Sequence, residues 1–369
     1  MVFDFLEACI RDETTTLDLF AFDLNDPDFI RGLIKLGPRL KAFLDDSLVH
    51  ANPTSVEKEA LSLLRKSAGR DNIKTGHFLR YAHTKALIQK RNGSAVRVLT
   101  GSANFALRAL SVQANNVLVF DDAKTAELYD QAFDQAFSDH SKSQSAFARS
   151  SIARGWIDVT EADLPVYSVA FSPHTSAEVS LSRIAEHISE AESSVFFVVL
   201  GLEPGGPVME ALKKLPSRRG VFSYGITERL DPRKRTASNT VIGYSGVKSI
   251  PPALFAGSPG IGFLVQLKCI VVDFNDAQPV VITGSSNFSP IGEKQNGDNL
   301  LAIYDRSVAT AYAIEAIRMV DHYQFVAALR TATTEHPLRL QKFGEVPQWW
   351  KPYYEPGNVK RRERLLFTR

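Results

Sequence analysis

Cysteine is nearly missing from this chain of 369 residues: only Cys9 and Cys269 are present. Two are too few for a disulfide framework, and Cys269 stands in an apolar run, where a small buried thiol is the ordinary expectation. A reducing, cytoplasmic setting follows. No run of 18 apolar residues occurs, so no transmembrane segment is expected. The opening MVFDFLEACIRDE carries acids where a secretory signal carries positive charge. An excess of one sign is also lacking. The 43 lysines and arginines face 41 acids, a formal net charge of +2, so no field of the whole molecule commits it to nucleic acid or to an anionic membrane. Any basic site must be local.

What the chain does have is an internal repeat. Gly101-Ser102-Ala103-Asn104-Phe105 returns as Gly284-Ser285-Ser286-Asn287-Phe288, and the flanks return with it. Gly101 lies 18 residues after His83 and Gly284 lies 18 after Gln266, with Lys85 and Lys268 each two residues further in. Asn104 to Asn116 and Asn287 to Asn299 are both 12 apart, and each second Asn opens an apolar run. This is a duplication, and function has to be read from how its halves face each other.

Period and punctuation predict an α/β protein. In the first copy a helix is expected over 3–11, a strand over 17–22, a helix capped by Asn25-Asp26-Pro27 and stopped by Gly37-Pro38, and a strand over 40–44. A helix over 57–68, strands over 85–89, 96–99 and 117–120, and a helix over 122–137 complete it. Residues 138–165, rich in Ser, Ala and charge, read as a connection. The second copy predicts helices over 180–191 and 207–215, strands over 195–200 and 221–224, a long loop over 226–263, strands over 269–274, 280–283 and 299–304, and a helix over 308–329. The division expected is a first repeat over 1–140, a connection over 141–165, a second repeat over 166–330 and an aromatic, basic tail over 331–369. Each lobe is expected to be a mixed sheet flanked by helices, the two related by a pseudo-twofold and sharing one central cleft.

Each copy offers a Lys ammonium, a Ser hydroxyl and an Asn amide, and the first adds an imidazole. Such a set suits a phosphate: Lys gives full charge, and Ser and Asn give directional donors to non-bridging oxygens. The sequence offers no Asp/Glu/His clusters of the kind a two-metal phosphodiesterase needs, so neither metal nor other cofactor is expected. A neutral His can attack phosphorus while a protonated partner gives a proton to the leaving oxygen.

With these residues the chain resembles the phospholipase D superfamily, whose hallmark is a duplicated H-x-K-x4-D followed by G-S/G-x-N. The resemblance covers nearly all of residues 1–330. It implies two motifs meeting at one metal-independent site, one His forming a phosphohistidine and the other protonating the leaving group. Carried over, His83 is the catalytic His, and Lys85, Lys268, Ser102, Ser285, Asn104 and Asn287 are the phosphate-binding set. Asp298 resembles the acid that orients a catalytic His; its counterpart in the first copy is Asn115.

The motif is degenerate at two places. Lys90 stands where the first copy should have Asp, and Gln266 stands where the second copy should have His, although Asp273 is kept. Gln266 cannot deliver a proton, so the general acid is absent and Asp298 is left without an imidazole partner. The reading is a phosphodiester hydrolase of nuclease or phospholipase type, impaired at Gln266, acting on a nucleic acid or a phospholipid. The alternative is a catalytically inactive phosphate- or nucleic-acid-binding protein derived from such an enzyme. Arg229, Arg233, Lys234 and Arg235 are candidates for a substrate rim. His77 and His174 have no repeat-matched counterparts and are expected to be structural. Trp349-Trp350 and Tyr353-Tyr354, followed by arginines, are expected to clamp the tail onto its own domain; the alternative is that they stack on bases and bind backbone phosphates.

Overall fold

In the computed structural model, which describes residues 1–50, 52, 55–139, 144–161, 164–201, 205–218, 220–229, 240–242, 265–337, 339, 342 and 344–368, helix α1 (Val2–Arg11) buries Val2, Phe5, Leu6 and Cys9. Their spacing of three to four residues is what puts them on one face. Strand β1 (Thr15–Ala21) is buried at all but its second residue, as a central strand covered on both faces must be. Asp26 accepts the Asp28 and Phe29 amides and caps α2 (Pro27–Leu36), with Pro27 at its start. Helix α2 crosses over to β2 (Leu40–Asp45), parallel to β1. A second crossover through α3 (Val56–Ala68) reaches β3 (Ile73–Gly76), parallel to β2. The short β4 (Tyr81–Ala82) precedes the antiparallel strands β5 (Ala86–Arg91) and β6 (Ser94–Gly101). Helix α4 (Leu107–Ser111), β7 (Val117–Phe120) and α5 (Ala123–Asp139) follow. The strand order is β3-β2-β1-β5-β6-β7.

The expected connection is partly regular structure. It holds α6 (Gln144–Arg149) and β8 (Ile157–Val159), and β8 pairs with a strand the repeat did not foretell, β9 (Val166–Phe171). That pair has no counterpart in the first copy, and Ser168 breaks the apolar run that would have marked it. Then come α7 (Glu178–Glu190), β10 (Ser194–Gly201), α8 (Pro207–Lys214) and β11 (Phe222–Arg229). The expected long loop thus begins as strand. It also holds β12 (Thr240–Ile242), antiparallel to β11. Strands β13 (Cys269–Val272) and β14 (Val280–Gly284), helix α9 (Pro290–Gln295), β15 (Asn296–Gly297), β16 (Asn299–Tyr304), α10 (Arg306–Thr331) and α11 (Val359–Phe367) complete the chain. The second sheet runs β12-β11-β10-β13-β14-β16-β9-β8. Strand β10 is parallel to β11 and antiparallel to β13, as β1 is to β2 and β5.

Three apolar clusters hold these layers. One lies where α1, α2 and α3 cover the first sheet, with Phe5, Phe29, Leu33 and Leu64. Another lies where α7 and α8 cover the second, with Leu181, Ile184, Val208 and Leu212. The third draws on both halves: Phe20, Phe43, Tyr129 and Phe133 join Phe171, Phe196, Leu301 and Ala313. At about 25 cal/mol per Å² of apolar surface this joint core is a main source of stability. The tail returns to it. Phe367 lies 5.7 Å from Phe274 and 6.0 Å from Phe196 between ring centroids, and Asn275 Nδ2 donates to the Leu366 carbonyl at 2.7 Å. Among the described residues no helix is long and apolar enough to cross a membrane.

Candidate active site

The residues leading into His83 are hydrogen-bonded to the other half of the chain. Strand β4 pairs with β15 in parallel, Tyr81 against Asn296 and Ala82 against Gly297. The His83 and Thr84 amides donate to the Gly297 carbonyl at 2.8 and 2.7 Å. The second copy does the same in return: Val265 bridges Ala114, and the Gln266 and Leu267 amides donate to the Ala114 carbonyl at 3.0 and 2.7 Å. Each copy's motif strand therefore enters beside the acid position of the other.

The two G-S-x-N turns are built alike. Gly101 and Gly284 have φ of 149° and 140°, a region that favours glycine. A Cβ there would run into the Asn116 or Asn299 carbonyl. The Ser102 and Ser285 amides donate to those same carbonyls, each at 3.1 Å, and their hydroxyls accept the Asn116 and Asn299 amides. The second asparagines also bond across the halves. Asn116 Nδ2 donates to Thr283 Oγ1 at 3.0 Å and to the Tyr312 hydroxyl at 2.6 Å, while Asn299 Nδ2 donates to the Tyr129 hydroxyl at 2.8 Å.

At the centre of this framework His83 Nδ1 lies 2.7 Å from Asp298 Oδ1. The expectation that Asp298 lacks an imidazole is thus overturned. The entry strands cross between copies, so the acid of the second copy serves the His of the first. The degenerate pair is Gln266 with Asn115. Ser285 Oγ and Asn296 Nδ2 donate to the same carboxylate at 2.7 and 3.1 Å. Burial alone would raise the Asp298 carboxyl, but His83, Lys85 and Ser285 outweigh it and hold the group well below the usual carboxylate range. Burial, with the Lys85 charge, lowers His83 in spite of Asp298. The imidazole is then neutral at pH 7, with its proton on Nδ1 toward Asp298 and a lone pair on Nε2.

Lys85 and Lys268 are both buried; their ammonium groups donate to the His83 carbonyl and, at 2.7 Å, to the Gln266 carbonyl. Burial pushes them down to about 7 and about 8, against the pull of Asp298. A bound phosphate would reverse that shift, since an anion beside an ammonium favours its charged form.

The other expected site residues divide. Ser102 and Ser285 are buried, and their hydroxyl protons go to Asn115 Oδ1 at 3.1 Å and to Asp298. Asn104 Nδ2 donates to Asp23 Oδ2 at 2.6 Å. Asn287 keeps a buried Oδ1 without a hydrogen-bond partner among the described residues. Gln266 is half-buried. Arg229 ends β11, and Arg233, Lys234 and Arg235 lie outside the described residues. His77 bonds Asp46 at 2.6 Å and His174 donates to the Ala153 carbonyl at 2.7 Å, both away from His83 in their bonding.

Neither residue at the motif's Asp position bonds His83. Asp273 accepts the Glu192, Ser193 and Ser194 amides at 2.8 to 2.9 Å and so fixes the entry to β10. Lys90 bridges Asp18 on β1 at 3.2 Å and Asp130 on α5 at 2.6 Å. Both are supports for a central strand, with the sign of charge reversed. Sequence reasoning missed Phe22, whose ring lies 4.9 Å from the His83 ring and 5.1 Å from Lys85 Nζ. Its place at the end of β1, where α/β sheets present ligand sites, was the available signal.

A family model described as "Cardiolipin synthase, PLD-like domain" matches residues 184–320. No curated protein matches the chain in sequence. Among solved structures, polyphosphate kinase from Porphyromonas gingivalis is similar with a TM-score of 0.53 at 11% identity, over 94% of this chain and 51% of that one. This chain therefore spans about half the length of that relative, and the likeness is one of fold. Phosphatidylserine synthase from Haemophilus influenzae Rd KW20 aligns at 11% identity over 99% of this chain and 89% of that one, TM-score 0.49. Nuc from Salmonella typhimurium, a phospholipase D family member, aligns at 20% identity over 44% of this chain and 93% of its own, TM-score 0.28. The matched PLD-like domain takes in the second copy of the duplicated motif, with Gln266, Lys268 and the Gly284-Ser285-Ser286-Asn287 turn, and residues 184–320 are thus a phospholipase D-like domain.

Proposed function

We propose that the protein cleaves a phosphodiester by nucleophilic attack of His83, in a cleft shared by the two copies. The observation that carries this reading is the His83–Asp298 hydrogen bond, 2.7 Å long and made between the halves. Asp298 holds the Nδ1 proton, which leaves Nε2 to attack phosphorus. A P–N bond forms, the P–O bond opposite breaks, and the phosphohistidine is then hydrolysed by water, returning neutral His83. Lys85 and Lys268 neutralise the phosphoryl oxygens, with Asn104 and Asn287 as amide donors. Ser285 acts through Asp298, as a positioning residue. No step uses a metal ion. Gln266 offers no proton to the leaving oxygen, which selects for leaving groups that depart as anions. A general acid is worth about 10²- to 10⁴-fold, so alkyl diesters are turned over slowly and aryl diesters much faster.

The test is turnover of bis(p-nitrophenyl) phosphate, with acid-quenched enzyme examined for phosphohistidine. The wild type should release nitrophenol and carry the label on His83, and His83→Ala should do neither. Rate should fall with acid only below the ordinary histidine pKa of about 6.5, because the His83 value is lowered and attack needs the neutral ring. Binding of the diester without release by either protein would instead favour a phosphate-binding module, the reading to which the Gln266 substitution points.

A further inference from the structure

Close to the proposed site, but outside its chemistry, three potential ligands converge. Asp23 follows the end of β1, His50 ends the short turn after β2, and Glu57 lies in the first turn of α3; their ligand atoms all fall within 4.8 Å of one another. His50 Nδ1 is 2.8 Å from Asp45 Oδ2 and its Nε2 is 2.9 Å from Asp23 Oδ1. An imidazole held at one nitrogen by a buried carboxylate, with the other aimed at further carboxylates, is the arrangement that orients a metal-binding His. Asp45, Glu57 and His50 line a small cavity of about 20 Å³, room for one water-sized occupant. Beside it Asn104, 9% exposed, gives its Nδ2 to Asp23 and keeps a buried Oδ1 without a partner among the described residues.

From this geometry we infer a binding site for one divalent transition-metal ion, held by Asp23, His50 and Glu57 and backed by Asp45. One imidazole and two carboxylates suit a borderline ion such as Zn²⁺ or Mn²⁺ better than a thiolate-seeking one. Two donors on a tetrahedral Zn²⁺ are about 3.4 Å apart, so the 2.9 Å between Asp23 and His50 has to open by only a few tenths of an ångström. In the absence of the ion a proton on Nε2 fills the same place, bridging to Asp23. Binding releases that proton and forms the metal–nitrogen bond. The ion would tie the end of β1 to α3, directly behind Phe22, whose ring lies 4.8 Å from His50 and 4.9 Å from His83. The sequence alone offered no such cluster, because its members are separated by 27 and 7 residues.

The experiment is calorimetric titration of the EDTA-treated full chain with Zn²⁺, and with Mn²⁺ as second probe, followed by thermal melts. One ion per chain and a raised Tm are expected. Glu57→Gln, at a half-buried position, should weaken binding at least tenfold with an unchanged circular dichroism spectrum. Asp45→Asn should weaken it about 10- to 100-fold, the usual cost of losing such a backing carboxylate. His77→Ala and His83→Ala should bind as the wild type does, which separates this site from a surface histidine and from the proposed chemistry. No stoichiometric binding, unchanged affinity in Glu57→Gln, or loss of binding in His77→Ala or His83→Ala would overturn the inference.

Discussion

At the scale of single residues, the crossing of the copies changes what repair of the motif requires. A histidine at position 266 enters beside Ala114 and Asn115, so its natural carboxylate partner is residue 115. Gln266→His with Asn115→Asp should therefore raise the turnover of an alkyl diester, by up to about 10²- to 10⁴-fold, and by more than Gln266→His alone; steady-state rates of the three proteins decide this. That His83 comes together with two lysines and two G-S-x-N turns was legible from the repeat, since only a duplication puts them in one register. Which carboxylate serves it was not, because spacing along the chain favours a partner within the same copy. Glu293 was also invisible. It is buried, accepts the Ser180 and Ser286 hydroxyls, and lies 3.6 Å from His174, too far for a hydrogen bond. Burial raises it from 4.5 to about 7. Between those values the folded chain keeps a proton that the unfolded chain has lost, so stability should fall as pH rises through that window and level off above it, with a slope of at most about 1.4 kcal/mol per pH unit. Denaturation midpoints against pH should show that slope in the wild type and a flatter line in Glu293→Gln.

At the scale of elements, the longer helices and central strands were legible because their apolar residues recur at 3.6 or run unbroken, and because Asp26 and the prolines mark their starts. Strands β3, β4, β8, β9, β12 and β15 were not, since each is short, polar or without a copy to point to it. Their pairing comes from the strand that receives each. The strand supports make a prediction of their own. Asp18 on β1 is almost wholly buried, and its ionised form depends on Lys90. Burial raises the Asp18 carboxyl to about 6. Lys90→Ala leaves that acid uncompensated and should cost about 3 kcal/mol at neutral pH. Replacing the pair together, Asp18→Asn with Lys90→Met, should recover most of the loss. Urea midpoints at unchanged m-value measure both, and equal destabilisation of the single and double variants would refute the pairing.

At the scale of the whole molecule, the two copies share a central core and exchange their motif strands, so neither should fold alone. Residues 1–140 expressed separately expose Phe20, Phe43, Tyr129 and Phe133 and should be aggregated or unstructured, whereas co-expression with the remainder should restore a soluble complex; amide exchange protection of the isolated piece is the readout. The exchange between β4 and β15 has another consequence, one of direction. Were both copies intact, a diester could sit either way round and be cut from either side. Here the imidazole–carboxylate couple survives on one side only, and an in-line displacement expels the group on the side opposite His83. Under the proposed mechanism an unsymmetrical diester with one aryl and one alkyl arm would react in a single orientation, aryl arm toward Gln266, and its mirror placement would be a dead end that competes with it. On that reading the site is a lock with one keyway, and a substrate turned around would be its inhibitor.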